Sequence, residues 1–166
     1  MIIREARLED AQQLANLIQQ VENESEFMLF EPGERKLTPE KQRTMIENIS
    51  KQKNSTIFVA EDYEKLVGYL MAFGGNAKRN RHSAYLVIGI LKEHRGKGIG
   101  TKLFRKLESW ARERNIHRLE LTVMTQNQAG IALYKKMGFE IEGTKKHSLL
   151  VNGLFMDEYY MAKILY

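Results

Sequence analysis

Arg95-Gly96-Lys97-Gly98-Ile99-Gly100 decides how the rest of this chain is read. Three glycines at alternate positions separate an apolar run, Tyr85 to Leu91, from Ile99, Leu103, Leu107, Trp110 and Ala111, which recur at helical spacing. Glycine lets a backbone turn without a Cβ penalty and approach a bulky ligand, and the first N–H groups of a helix lack internal partners. A strand, a glycine loop and a helix start therefore form a cradle suited to phosphate. The even spacing does not fit GxGxxG, and no GK[ST] follows an upstream glycine, so nicotinamide and ATP loops match poorly. A glycine-rich turn that holds no ligand is the alternative these six residues leave open.

A second segment lies downstream, from Asn127 through Gly130, Ile131, Leu133, Tyr134 and Met137 to Gly138-Phe139. It reads as a short helix, with Asn127 as N-cap and Gly138 ending it in the left-handed conformation. Gly130 should loosen the first turn by up to about 1 kcal/mol relative to alanine. Together the two segments resemble the GNAT superfamily of acetyl-CoA-dependent N-acetyltransferases. Arg95, Gly98 and Gly100 match its R-x-x-G-x-G signature, and Asn127 to Phe139 match N-x-x-A-x-x-L-Y-x-x-x-G-F, except that Gly130 stands for the usual alanine.

The resemblance covers essentially the whole chain and implies one domain, residues 1–166, with the acyl-CoA N-acyltransferase fold. It implies acetyl-CoA as acyl donor, with its pyrophosphate on Arg95, Gly96, Lys97, Gly98, Ile99 and Gly100. The strand residues Ile88, Gly89 and Ile90 would hold the thioester end, and Asn127 would help orient the cofactor. Tyr134 takes the position of the family's general acid, a phenol that stays protonated at neutral pH and can donate to a departing thiolate. In that family two adjacent parallel strands splay to admit the donor; here they would be Ser83 to Leu91 and Arg118 to Thr125. Gly89 marks either a strand distortion that exposes backbone to the ligand or a packing feature.

The 166 residues, 43% of them hydrophobic, suffice for one substantial core. No cysteine is present, so disulfides, thiolate metal sites and a cysteine acyl-enzyme are excluded, and direct transfer is the default. No metal site is expected. The opening Met1-Ile2-Ile3-Arg4-Glu5 is unlike a signal peptide and no apolar run approaches a membrane span, so the expectation is a cytoplasmic protein without a membrane partner. A net charge of +5 raises nucleic acid as a partner. Nine of the basic residues fall between Lys92 and Arg118 against three glutamates, which suits the phosphates of coenzyme A, and no recognition motif or aromatic platform accompanies them. Nucleic acid is therefore not expected, and a homodimer is left open.

The remaining pattern reads β-α-α-β-β-β-α-β-α-β-β, an α+β domain with a mixed sheet. Met1 to Ala6 is a strand, and Ala11 to Val21 carries a helical stripe. Thr38-Pro39-Glu40 starts a second helix, expected to run to about Lys51. Ser55 to Glu61 and Leu66 to Phe73 form a hairpin, and Asn152-Gly153 turns between strands Phe139 to Leu150 and Leu154 to Leu165. Between the first two helices, Phe27-Met28-Leu29-Phe30 is an apolar run in a polar loop, a surface that closes on something.

Acetyl transfer to an amine also needs a base, and Glu31, Glu34, Glu120, His82 and His147 are candidates with nothing to choose among them. The acceptor is an amine on a small molecule or a peptide. The tail resembles branches that include ribosomal-protein N-terminal and spermidine acetyltransferases. Glu22, Glu24, Glu26, Glu31 and Glu34 favour a cationic, polyamine-like acceptor or are simply a solvated acidic loop. A non-catalytic acyl-CoA-binding module is the alternative of a different kind.

Overall fold

The computed structural model describes residues 1–166 and follows the expected order of elements. Strand β1 (Ile2–Glu5) leads into helices α1 (Ala11–Glu24) and α2 (Pro39–Ser50), followed by strands β2 (Thr56–Asp62), β3 (Lys65–Gly74) and β4 (Ser83–Ile90). Helix α3 (Ile99–Glu113), strand β5 (Arg118–Met124), helix α4 (Gln128–Lys136) and the hairpin of β6 (Glu140–Val151) with β7 (Leu154–Ile164) complete the chain. One seven-stranded sheet runs β1-β2-β3-β4-β5-β7-β6. Only β4 and β5 pair in parallel, because α3 carries the chain back between them.

Local chemistry accounts for the boundaries. Thr38 caps α2 by accepting a hydrogen bond from the Lys41 N–H at 3.2 Å, with Pro39 in the first turn. Asn152 and Gly153 both adopt positive φ, as the tight hairpin turn requires. Tyr63 and Glu64 make the same kind of turn between β2 and β3 without a glycine. The stripe Ile99, Leu103, Leu107, Trp110 and Ala111 is buried against the sheet, whereas Lys102, Arg105, Lys106 and Arg112 form the solvated face of α3. No helix is long and apolar enough to cross a membrane.

Asp10, at the start of α1, leaves the helix N–H groups uncapped and serves a different purpose. Its carboxylate accepts two bonds from the Arg4 guanidinium at 2.8 and 2.9 Å and one from the Arg7 N–H at 2.7 Å, tying β1 to α1. The Arg4 hydrogen bond holds this carboxyl below its usual range despite burial. A carboxylate lowered in the folded state contributes stability that is complete above its unfolded value of about 4 and is lost as pH falls through the folded one. Asp10→Asn should therefore cost about 1.5–3 kcal/mol at pH 7. Thermal melts of parent and variant should converge as the pH falls below the unfolded value; a gap independent of pH would contradict this reading.

Candidate active site

The pairing of β4 with β5 stops early. Ser83, Ala84 and Tyr85 pair with Arg118, Leu119 and Glu120, and beyond them the strands diverge although each continues. Hydrogen bonds at the ends of β4 fix which backbone groups meet the gap. The Ser83 carbonyl accepts from the Gly75 N–H and the Leu91 N–H donates to the Val67 carbonyl, both at 3.0 Å on the β3 side. The His82 carbonyl instead accepts from the His117 and Arg118 N–H groups at 2.8 and 3.1 Å, toward β5. Alternation along the strand then aims the N–H and C=O groups of Ile88 and Ile90 into the gap, where no strand meets them. The gap opens into a cleft of about 740 Å³, lined by both strands, the glycine loop, α4 and the loop between α1 and α2.

Gly89 is a packing feature. It sits in regular register opposite Tyr69, and a Cβ there would lie 2.5 Å from Tyr69 Cζ. No bulge interrupts β4, so the exposed backbone belongs to Ile88 and Ile90, the result of lost pairing rather than strand distortion.

At the phosphate end, Gly98 takes φ +81° immediately before α3, and Gly96 takes φ +74°. A Cβ at either position would meet nothing within 4 Å, so both glycines leave room above the loop. The first intrahelical bond runs from the Lys102 N–H to the Gly98 carbonyl, which leaves the N–H groups of Ile99, Gly100 and Thr101 free for an anion. Gly100 serves packing, since its Cβ would come 2.8 Å from Leu133 Cδ2 on α4. Arg95, Gly96, Gly98, Ile99 and Gly100 line the cleft, whereas Lys97 lies outside its lining. Lys136 joins them, its Nζ 3.4 Å from Thr101 Oγ1. A lysine in the last turn of a helix reads in sequence only as a partner for the helix dipole, and the packing of α4 beside the start of α3 gives it a second role.

Asn127 caps α4 by accepting from the Gly130 N–H at 2.9 Å, and its side chain lines the cleft. A Cβ on residue 130 would stand 2.6 Å from Asn127 Nδ2, so the glycine at that position makes room for the capping amide. Asn127→Ala is expected to lower stability by about 1 kcal/mol through the lost cap. If the free Nδ2 also contacts the donor, the Michaelis constant for acetyl-CoA rises as well; a lowered melting temperature with an unchanged constant assigns Asn127 to the cap alone.

Tyr134 is 8% exposed, edge-on to Phe104 with centroids 5.8 Å apart, and tilted against Phe139. Its hydroxyl has no hydrogen-bond partner in the protein and is not sealed from solvent, so it opens into the cleft. Burial pushes the phenol up to about 12, with a further contribution from Tyr85, so the proton is held firmly at neutral pH. None of Glu31, Glu34, Glu120, His82 and His147 lines the cleft. The carboxylates that do are Glu22, bound to Arg35, and Glu158, which accepts from Ser148 Oγ. Glu24 and Glu26 are likewise outside the lining, so of the five glutamates in the acidic stretch only Glu22 reaches the cleft. Phe27, Met28, Leu29 and Phe30 of the apolar run all face the cleft. No group of three or more His, Asp or Glu is placed to hold a metal ion.

A profile of the acetyltransferase (GNAT) family matches residues 18–139. The fold superposes on an acetyltransferase of the GNAT family from Streptococcus pneumoniae with a TM-score of 0.95 at 32% identity, covering 99% of each chain. It superposes on a ribosomal-protein-alanine N-acetyltransferase from Brucella melitensis with a TM-score of 0.88 at 30% identity, over 99% of this chain and 100% of that one. The L-amino acid N-acetyltransferase AaaT of Escherichia coli (strain K12) is 37% identical over 103 residues, which are 60% of this chain and 62% of AaaT. This chain thus spans about six tenths of the length of that curated relative.

Proposed function

The chain belongs to the GNAT family of acetyltransferases, and on that premise we propose that it transfers the acetyl group of acetyl-CoA directly to a primary amine of a small molecule or peptide. The observation that carries the proposal is the early divergence of β4 from β5, which turns the N–H groups of Ile88 and Ile90 into a cleft shared with the glycine loop and Tyr134. Two relatives, named for L-amino acid and ribosomal-protein-alanine N-acetylation, support an amine acceptor.

The residues present fit acetyl-CoA. The space above Gly96 and Gly98, the free N–H groups of Ile99 to Thr101 and the cations of Arg95 and Lys136 suit a pyrophosphate. Bound there, acetyl-CoA supplies an activated acyl group as its thioester. The N–H groups of Ile88 and Ile90 then act as fixed donors toward a carbonyl oxygen that gains negative charge, inside a cleft walled by apolar side chains. Tyr134 keeps its proton at Oη until a thiolate leaves, and donates it there. The acceptor amine must be neutral when it attacks, because an ammonium has no lone pair.

Thiol release from acetyl-CoA measured across a panel of amines and N-terminal peptides, beside calorimetric binding of acetyl-CoA, tests this reading. Binding with amine-dependent thiol release is the expected outcome. Binding without release for any amine would instead identify a non-catalytic acyl-CoA module.

A further inference from the structure

A second polar cluster opens into the same cleft, built from elements outside the glycine loop and α4. Glu22 of α1 is buried and accepts from Arg35 Nε at 3.1 Å and Nη2 at 2.9 Å. The guanidinium carbon lies over the Phe30 ring, 4.1 Å from its centroid, and its Nη1 has no protein partner. Gln42 of α2 is 4% exposed and lines the cleft, yet its amide makes no hydrogen bond within the protein; its Oε1 is sealed, and its Nε2 is the end left open to the cleft. Buried side-chain amides are almost always bonded, so one that faces a cleft unpartnered points to a ligand.

Tyr69 connects this cluster to the place where chemistry is expected. Its ring is 1% exposed and crosses the face of Gly89, so close that a Cβ there would lie 2.6 Å from the Tyr69 hydroxyl oxygen. Glu22 and Arg35 are near enough to act electrostatically on the same hydroxyl. The cluster therefore stands next to the strand that carries Ile88 and Ile90.

We propose that Arg35, Glu22 and Gln42 form an acceptor subsite for a free α-amino acid, with Arg35 Nη1 and Gln42 Nε2 donating to its carboxylate and leaving its amino group free to react. The inference rests on the acetyl-transfer reading above. A zwitterion complements a fixed Arg–Glu pair, because its two charges can lie antiparallel to those of the protein. A polyamine brings positive charge alone to a guanidinium whose carboxylate partner is already engaged. A peptide N-terminus has no carboxylate beside its amine for Arg35. Phe27, Met28 and Met45 add an apolar wall, which suits an apolar side chain on the amino acid.

The test compares initial thiol-release rates for leucine, leucinamide, spermidine and a short peptide with a free N-terminus. Leucine is expected to exceed leucinamide in kcat/KM by about tenfold to a hundredfold, the range for a lost charge-assisted contact. Arg35→Met alone would strand the buried Glu22, so the pair is removed together. In Glu22→Gln/Arg35→Met the preference for leucine over leucinamide should collapse, while the Michaelis constant for acetyl-CoA stays at the parent value. Gln42→Leu should raise the leucine KM about tenfold without lowering the melting temperature, since a purely structural amide would do the reverse. Turnover of leucinamide, spermidine or the peptide at or above leucine, or a preference that survives in the double variant, overturns the subsite and leaves acetyl transfer standing. Absence of thiol release with every amine overturns both.

Discussion

Tyr134→Phe is expected to fold and bind acetyl-CoA like the parent while losing about a hundredfold to ten-thousandfold in kcat, the usual contribution of a positioned general acid. The prediction is sharp because the hydroxyl has no partner in the protein. Its removal leaves nothing unsatisfied, and the ring keeps its contacts with Phe104 and Phe139. A loss confined to kcat identifies an interaction made on the way to the transition state rather than in binding. The high hold on the phenolic proton also predicts that the rate does not fall with deprotonation of Tyr134 until the pH approaches 12. Parent-like turnover, with chemistry rate limiting, would make Tyr134 a packing residue.

Gly98→Asn is expected to weaken acetyl-CoA binding by at least about tenfold, or 1.4 kcal/mol. Asparagine is chosen because it tolerates the left-handed conformation that Gly98 adopts before α3, at a cost of about 1 kcal/mol. Its Cβ meets nothing within 4 Å in the protein, so the side chain enters only the space the phosphates would use. Gly100→Val tests less cleanly, since its Cβ runs into Leu133 and disturbs the contact between α3 and α4. Calorimetry on a folded Gly98→Asn protein decides: unchanged affinity would mean that the donor does not approach this loop.

The contrast between these glycines shows where sequence reading ends. Gly96, Gly98 and Gly100 look alike in the chain, and the signature they belong to, with the segment from Asn127 to Phe139, was enough to assign the fold and the order of its elements. Backbone conformation separates them, with Gly96 and Gly98 at positive φ over open space and Gly100 serving a helix contact. Gly89 was legible as special, but its reason is the ring of Tyr69 on the neighbouring strand, a contact set by register. The base candidates fared worst, because a lone Glu or His has no pattern to place it and all five fall outside the cleft. Lys136, Glu158 and Gln42 were invisible for the same reason: each is an ordinary polar residue until α4, β7 or α2 carries it to the cleft wall. The apolar run from Phe27 to Phe30 was legible because it breaks the polarity of its own loop, and it does face the cleft.

The central claim is that the donor enters where β4 and β5 part, with its phosphates at the start of α3. Backbone amide chemical shifts of isotopically labelled protein, followed during titration with acetyl-CoA, report on that claim directly. The account predicts the largest changes at the N–H groups of Ile88 and Ile90 and at those of Gly98 through Thr101, saturating together with one affinity. Changes confined to other surfaces, such as the β6–β7 hairpin, with Ile88, Ile90 and the glycine loop unmoved at saturation, would contradict it.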